Sequence, residues 1–192
     1  MKNGCRAVFI DRDGTINPDV GYMHRVSDFR FIPGVKKGIK ILNERGFKII
    51  VVTNQSAIAR GILTHEKLLR IHNKMKETLK RYGAEIDGIF YCPHHPDDMC
   101  SCRKPGTLLF KRAIKEHKIN VDESYMIGDK IIDVAASKKV GLKAILIPER
   151  NKEEKSSSEL AHSVVRPDFI CKTFIEAVNW ILNEDSRSAN EE

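Results

Sequence analysis

Short unbroken runs of β-branched and aromatic residues alternate along this chain with segments whose apolar positions recur every three or four residues. The runs predict strands at Arg6-Ala7-Val8-Phe9-Ile10, Phe47 to Val52, Ile89-Phe90-Tyr91, Tyr125-Met126-Ile127 and Ala144 to Ile147, with Phe169-Ile170-Cys171 as a further edge strand. The spaced segments predict helices. Pro33-Gly34 opens one that presents Val35, Ile39 and Leu42 on one face and stops at Gly46. Thr64 caps a second, which carries Leu68, Ile71, Met75 and Leu79 and closes at Gly83. Others are expected from about Thr107 to His117 and from about Asp133 to Lys139. Thr173-Phe174-Ile175-Glu176 has capping-box spacing before a last helix through Leu182. Residues 149–166 are polar and Ser-rich and read as an exposed connection; the tail 185–192 reads as disordered.

Strand–helix alternation of this kind predicts an α/β fold with a doubly wound, mostly parallel sheet, and places functional groups at the carboxyl ends of the strands. A length of 192 residues fits one domain, over 1–184. No repeat is present, and no apolar run is long enough for a membrane span or a signal peptide's hydrophobic region. The expectation is therefore a soluble cytoplasmic protein with no membrane partner, a monomer by default. With 33 basic and 26 acidic residues the net charge is +7. That balance suits a polyanionic partner, but the basic residues are scattered and selects no function by itself.

The strand ends carry the chemistry. Asp11-Arg12-Asp13-Gly14-Thr15 sets two carboxylates two residues apart just past a buried strand, where they repel unless a cation or a proton intervenes. Thr53-Asn54-Gln55-Ser56 offers hydroxyl and amide donors for phosphate oxygens. Gly128-Asp129-Lys130, with Asp133 beyond, brings a carboxylate that can join Asp11 and Asp13 around Mg²⁺. Arg103-Lys104-Pro105 supplies fixed positive charge for a phosphoryl group.

Together these residues resemble the motifs of the haloacid dehalogenase superfamily over roughly residues 5–150. The resemblance implies a haloacid dehalogenase-like Rossmannoid fold and a phosphotransferase. It makes Asp11 the nucleophile that becomes an aspartyl phosphate, and Asp13 the acid that protonates the leaving oxygen and then the base that activates water. Thr53 and Lys104 would hold the phosphoryl group. Asp11, the Asp13 main-chain oxygen and Asp129 would bind Mg²⁺. The second carboxyl, Asp13, favours a phosphatase over the pumps and dehalogenases of the superfamily. No insertion is long enough for a cap domain.

Between the third strand and Arg103 lie three thiols and two imidazoles: Cys92-Pro93-His94-His95-Pro96-Asp97-Asp98-Met99-Cys100-Ser101-Cys102. Cys92, His94, Cys100 and Cys102 can close a tetrahedron around a structural Zn²⁺ with no open position. His95 in place of His94, reduced free thiols, or a redox pair are the alternatives. Cys5 and Cys171 read as packing residues. A zinc loop (92–102) directly before Arg-Lys-Pro resembles two branches of the superfamily, the heptose bisphosphate phosphatases and the histidinol-phosphatases. Thr15 to His24, Phe29 to Val35 and Thr53 to Gly61 look like the heptose branch; the short loop occurs in the other. By that resemblance Asp19, Val20, Gly21, Tyr22, Asn54, Gln55, Ser56, Arg103 and Lys130 line the substrate site, and the partner is a small phosphorylated sugar. A different class, a zinc-knuckle nucleic-acid-binding module, is opposed by carboxylates that would repel phosphate without a metal. The expectation is no nucleic-acid partner.

Overall fold

The computed structural model describes residues 4–148 and 164–190, and in it the alternation becomes one six-stranded parallel sheet. In chain order the elements are β1 (Ala7–Ile10), α1 (Val35–Glu44), β2 (Lys48–Asn54), α2 (His65–Arg81), β3 (Gly88–Cys92), α3 (Leu108–His117), β4 (Tyr125–Gly128), α4 (Ile131–Lys138), β5 (Lys143–Leu146), β6 (Phe169–Ile170) and α5 (Phe174–Asn190). The strands are ordered β3-β2-β1-β4-β5-β6. From β1 the sheet grows first towards β2 and β3, then on the other side through β4. That reversal opens a crevice at the carboxyl ends of β1 and β4.

Pleating divides the strand side chains between two cores. Val8, Ile10, Ile49 and Val51 face a layer in which Val35, Ile39, Leu42, Leu68, Ile71, Met75, Phe174 and Val178 are buried. Ala7, Phe9, Ile50, Val52 and Met126 face the opposite layer, with Leu109, Phe110 and Ala113 of α3. Burial on both faces explains why β1 reads as an unbroken apolar run. Thr64 Oγ1 accepts from the Lys67 N–H at 3.2 Å, the cap expected for α2. Gly38 costs α1 about 1 kcal/mol of helix propensity. A Cβ there would stand 2.6 Å from the Phe174 ring, so the glycine is what lets α1 close on α5.

Two boundaries differ from expectation. β2 continues to Asn54, because Thr53 and Asn54 still pair with Tyr91 and Cys92 of β3. Helix α5 continues to Asn190 instead of ending at Leu182 before a disordered tail. The extra turns are tied down from a distance: Asp185 pairs with Arg6, and Glu184 accepts from Lys143 at 2.9 Å. Of the connection expected over 149–166, residues 149–163 lie outside the described residues. Among the described residues no segment forms a cap: α1 and its leading loop join β1 to β2, and α2 joins β2 to β3. No helix among them is long and apolar enough to cross a membrane.

Candidate active site

Asp11 follows β1 directly and continues its ladder, donating its N–H to Ile127 O of β4 at 3.0 Å. Its carboxylate is buried and meets the equally buried ammonium of Lys104, Oδ1 to Nζ, at 2.6 Å. The same Nζ reaches Asp133 Oδ1 at 2.7 Å and donates to Val52 O at 2.7 Å. Two hydrogen bonds, to Asp11 and Val52 O, and an ion pair with Asp133 surround the ammonium, so Lys104 points in one direction. Its main chain is held as well. Asn54 Oδ1 accepts from Lys104 N at 3.0 Å and Asn54 Nδ2 donates to Lys104 O at 3.2 Å. Asn54, expected at the substrate, thus commits its amide to aiming the lysine.

Asp13 stands in a separate network. Arg12, buried beside it, donates from Nε to Oδ1 at 3.1 Å and from Nη2 to Oδ2 at 2.7 Å. Asn17 Nδ2 donates to Oδ1 at 2.9 Å, and Gln55 Nε2 to Oδ2 at 2.8 Å. Gln55 Nε2 also donates to Thr53 Oγ1 at 2.8 Å, joining two expected site residues. Burial alone would raise the Asp13 carboxyl; the Arg12 charge and these donors hold it below the usual carboxylate range.

Asp129, just past β4, completes the crevice. Oxygens of Asp11, Asp129 and Asp133 lie within 4.8 Å of one another, all three residues buried. Gly14 (φ +96°) lies against this group, where a Cβ would collide with the Asp129 carboxylate. Asp129 Oδ2 is buried with no hydrogen-bond partner among the described residues; Lys130 Nζ is 3.6 Å away. Burial, with Asp11 and Asp133 adding to it, pushes Asp129 up to about 8. Burial raises Asp11 too, against the pull of Lys104. Crowded, proton-seeking oxygens with an unpartnered lone pair are a donor set that fits a hard divalent cation such as Mg²⁺. A carboxyl whose pKa is higher folded than unfolded stabilises the fold when protonated. The metal-free protein should therefore lose stability as pH rises from about 4 towards 8, and bound Mg²⁺ should offset that loss. Thermal melts should show a larger Mg²⁺-induced rise in Tm at pH 8 than at pH 5; equal rises would contradict this.

At the rim, Lys130 Nζ reaches Asp19 Oδ2 at 3.0 Å, bringing two expected substrate residues together across the crevice. Val20 and Tyr22 are exposed, with the Arg60 guanidinium 5.6 Å from the Tyr22 ring centre. Gly21 donates to Asp19 Oδ1 at 3.0 Å and shapes this turn. Arg103 Nη1 is buried without a hydrogen-bond partner among the described residues. Ser56 is half-buried. Of these rim groups only Lys130 lines the small cavity of about 50 Å³ at the strand ends, which it shares with Asp11, Asp13, Thr53, Asn54, Lys104, Ile132 and Asp133. Arg12, Asn17 and His72, which support Asp13, were not among the residues expected at the site. The available signals were a cation between two aspartates and a histidine on the apolar face of α2.

The Cys/His loop folds into a second cluster. Cys102 Sγ lies 3.1 Å from both Cys92 Sγ and His94 Nδ1, and Cys100 Sγ 3.5 Å from both other sulfurs. Tetrahedral zinc would set its sulfurs about 3.8 Å apart, a slight expansion of this arrangement. His95 is otherwise engaged: its Nδ1 accepts from Asp97 N at 3.4 Å and its N–H donates to Asp98 Oδ2 at 2.7 Å. His94 is thus the imidazole in the cluster. Burial opposes ionisation of Cys100, but hydrogen bonds led by the Arg103 main chain draw it down to about 7. The donor set fits Zn²⁺. Arg103 and Lys104 follow Cys102 immediately, and the Lys104–Pro105 peptide is cis.

A HAD-hydrolase-like family model matches residues 101–177. The chain is 37% identical over 185 residues to a D-glycero-beta-D-manno-heptose-1,7-bisphosphate 7-phosphatase of Haemophilus ducreyi, spanning 93% of this chain and 99% of the relative. It is 44% identical over 155 residues to a protein of the same name from Photorhabdus laumondii, spanning 76% and 82%. A crystal structure of D,D-heptose 1,7-bisphosphate phosphatase from B. bronchiseptica, complexed with magnesium and phosphate, matches with a TM-score of 0.83 at 27% identity, covering 93% of this chain and 99% of that one. Likeness over the whole length, on a chain with buried Asp11 and Lys104 in contact at the switch of the sheet, leads to one assignment. The chain belongs to the D-glycero-β-D-manno-heptose-1,7-bisphosphate 7-phosphatase family of haloacid dehalogenase-like hydrolases and is a phosphoric monoester hydrolase.

Proposed function

We propose that this phosphatase removes the 7-phosphate of D-glycero-β-D-manno-heptose 1,7-bisphosphate through an aspartyl phosphate on Asp11. It would thereby supply nucleotide-activated heptose synthesis for a lipopolysaccharide core or a related surface glycan. The observation that carries this reading is the buried Asp11–Lys104 pair, 2.6 Å apart, beside two further carboxylates. An aspartate needs no activating base, and Lys104 offsets the repulsion between its charge and an incoming phosphate.

The Asp11 carboxylate attacks phosphorus, the P–O7 bond breaks, and Asp13, ionised in the resting protein, passes to the leaving oxygen a proton that it must first take up from solvent. Water then attacks the phosphoryl group, Asp13 takes a proton from it, and inorganic phosphate departs with Asp11 restored. Thr53 and Lys104 hold the phosphoryl oxygens, while Asp133, Val52 O and Asn54 keep Lys104 aimed. Mg²⁺, held by Asp11, Asp129 and the Asp13 main-chain oxygen, would supply Lewis-acid neutralisation of phosphoryl charge. Zn²⁺ on Cys92, His94, Cys100 and Cys102 would be structural, fixing where Arg103 and Lys104 point. The Asp19 to Tyr22 turn, Ser56, Arg103 and Lys130 would surround the sugar, with Asn54 and Gln55 acting behind them through Lys104 and Asp13. ³¹P NMR tests the regiochemistry: the C7 monoester signal should vanish as inorganic phosphate grows, while the C1 signal persists. Loss of the C1 signal first would contradict the reading.

A further inference from the structure

Asp13 is held by a buried chain of side chains that reaches back to α2. Arg12 is 1% exposed, and its Nε–Nη2 edge forks Asp13 while Nη2 also donates to Gln55 Oε1 at 3.0 Å. The remaining terminal nitrogen, Nη1, lies 3.2 Å from Nε2 of His72. His72 is buried on the face of α2 that also carries Leu68, Ile71 and Met75. A guanidinium has donors only, so the contact has one sense. Arg12 Nη1–H donates, His72 Nε2 accepts, and the imidazole proton resides on Nδ1. Burial, and then the Arg12 charge, depress His72 to about 3, which keeps it neutral and able to accept. The ring has a second anchor: it packs edge-on against Tyr91 of β3, centroids 5.9 Å apart at 63°. The Tyr91 hydroxyl in turn meets His65 Nδ1 at 3.1 Å.

We infer that His72 is a positioning residue for the reaction: by accepting from Arg12 it fixes the guanidinium plane that aims the Asp13 carboxylate at the leaving oxygen and the attacking water. The inference rests on Asp13 being the acid–base group. A guanidinium is rigid and planar, so a bond at Nη1 sets the direction of the opposite edge, on which Asp13 sits. Asn17 and Gln55 also reach Asp13. Arg12 is the cation among these donors, and among the described residues its Nη1 end meets His72 of α2.

His72→Leu keeps the bulk and burial but removes the acceptor; His72→Gln returns an oxygen acceptor. The Leu variant should lose roughly 10- to 100-fold in kcat on the sugar bisphosphate, the scale expected of a misplaced catalytic group, with KM changed less than about twofold, and His72→Gln should recover most of the loss. Rapid quench with p-nitrophenyl phosphate, whose leaving group needs no proton, should show near-parental formation of phospho-Asp11 in His72→Leu but slower breakdown, so the phosphoenzyme accumulates. A folded His72→Leu protein with parental kcat would overturn the inference. So would a loss shared equally by formation and breakdown and unrelieved by Gln. Should neither variant fold, ¹⁵N spectra of the histidine-labelled parent decide: an Nδ1–H tautomer of His72 across the neutral range supports the role, and a protonated Nε2 refutes it. Asp13→Asn is measured beside them. If Asp13→Asn stays active, the acid–base assignment itself falls. If it is inactive while His72→Leu is fully active, only the His72 role falls.

Discussion

Asp11→Asn is expected to lower kcat by on the order of 10⁴- to 10⁶-fold, the scale seen when a covalent nucleophile is removed, in a protein that remains folded. Asn preserves volume, and Lys104 keeps its ion pair with Asp133 and Val52 O as an acceptor. The substitution also removes one of three crowded buried carboxylates. Without Mg²⁺ its Tm should therefore match or exceed the parent's. Circular dichroism melts beside single-turnover quench experiments check both halves. No phosphoenzyme should form, and near-normal turnover by the folded variant would refute covalent catalysis at Asp11.

The second large effect is expected from the Cys/His loop. Purified without chelator, the protein should carry one zinc per chain, and Cys100→Ser should lower both stability and activity. Structural zinc contributes apparent energies of about 10–16 kcal/mol in small peptides. Only part of that should be lost here, because Cys92 and Cys102 are also buried among Val52, Phe90, Leu109 and Phe110. The activity loss should fall mainly on KM. Arg103 and Lys104 are tethered through Cys102, whereas Asp11, Asp13 and Asp129 stand on other strand ends. Elemental analysis with steady-state kinetics tests this; a zinc-free protein of normal activity would reduce the cluster to incidental thiols and a loop histidine.

The sheet was legible because its strands are buried on both faces and its helices on one, so period alone separates Val8-Phe9-Ile10 from Leu68, Ile71, Met75 and Leu79. The crevice was legible because the chemistry-bearing residues follow the strands at once: Asp11 after β1, Thr53 at the end of β2, Asp129 after β4. What stayed hidden depends on residues that meet only in the folded chain. Nothing in the local pattern pairs Arg12 with His72, 60 positions apart, or turns the Asn54 amide towards Lys104, 50 positions away. The full extent of α5 was hidden for the same reason, since Arg6 and Lys143 hold its last turns from other elements. Asp133 belonged to a recognisable motif, but its ion pair with Lys104 did not.

Substrate choice is tested by a competition followed by ³¹P NMR, with the heptose 1,7-bisphosphate and histidinol phosphate at equal concentration in one Mg²⁺-containing sample. The C7 phosphate of the heptose should be consumed first, by roughly 100-fold or more in kcat/KM, the discrimination available when a site's polar groups are matched by one substrate and left unpaired by the other. The anomeric phosphate should remain intact throughout. Preferential loss of histidinol phosphate, or equal consumption of the two, would contradict that preference.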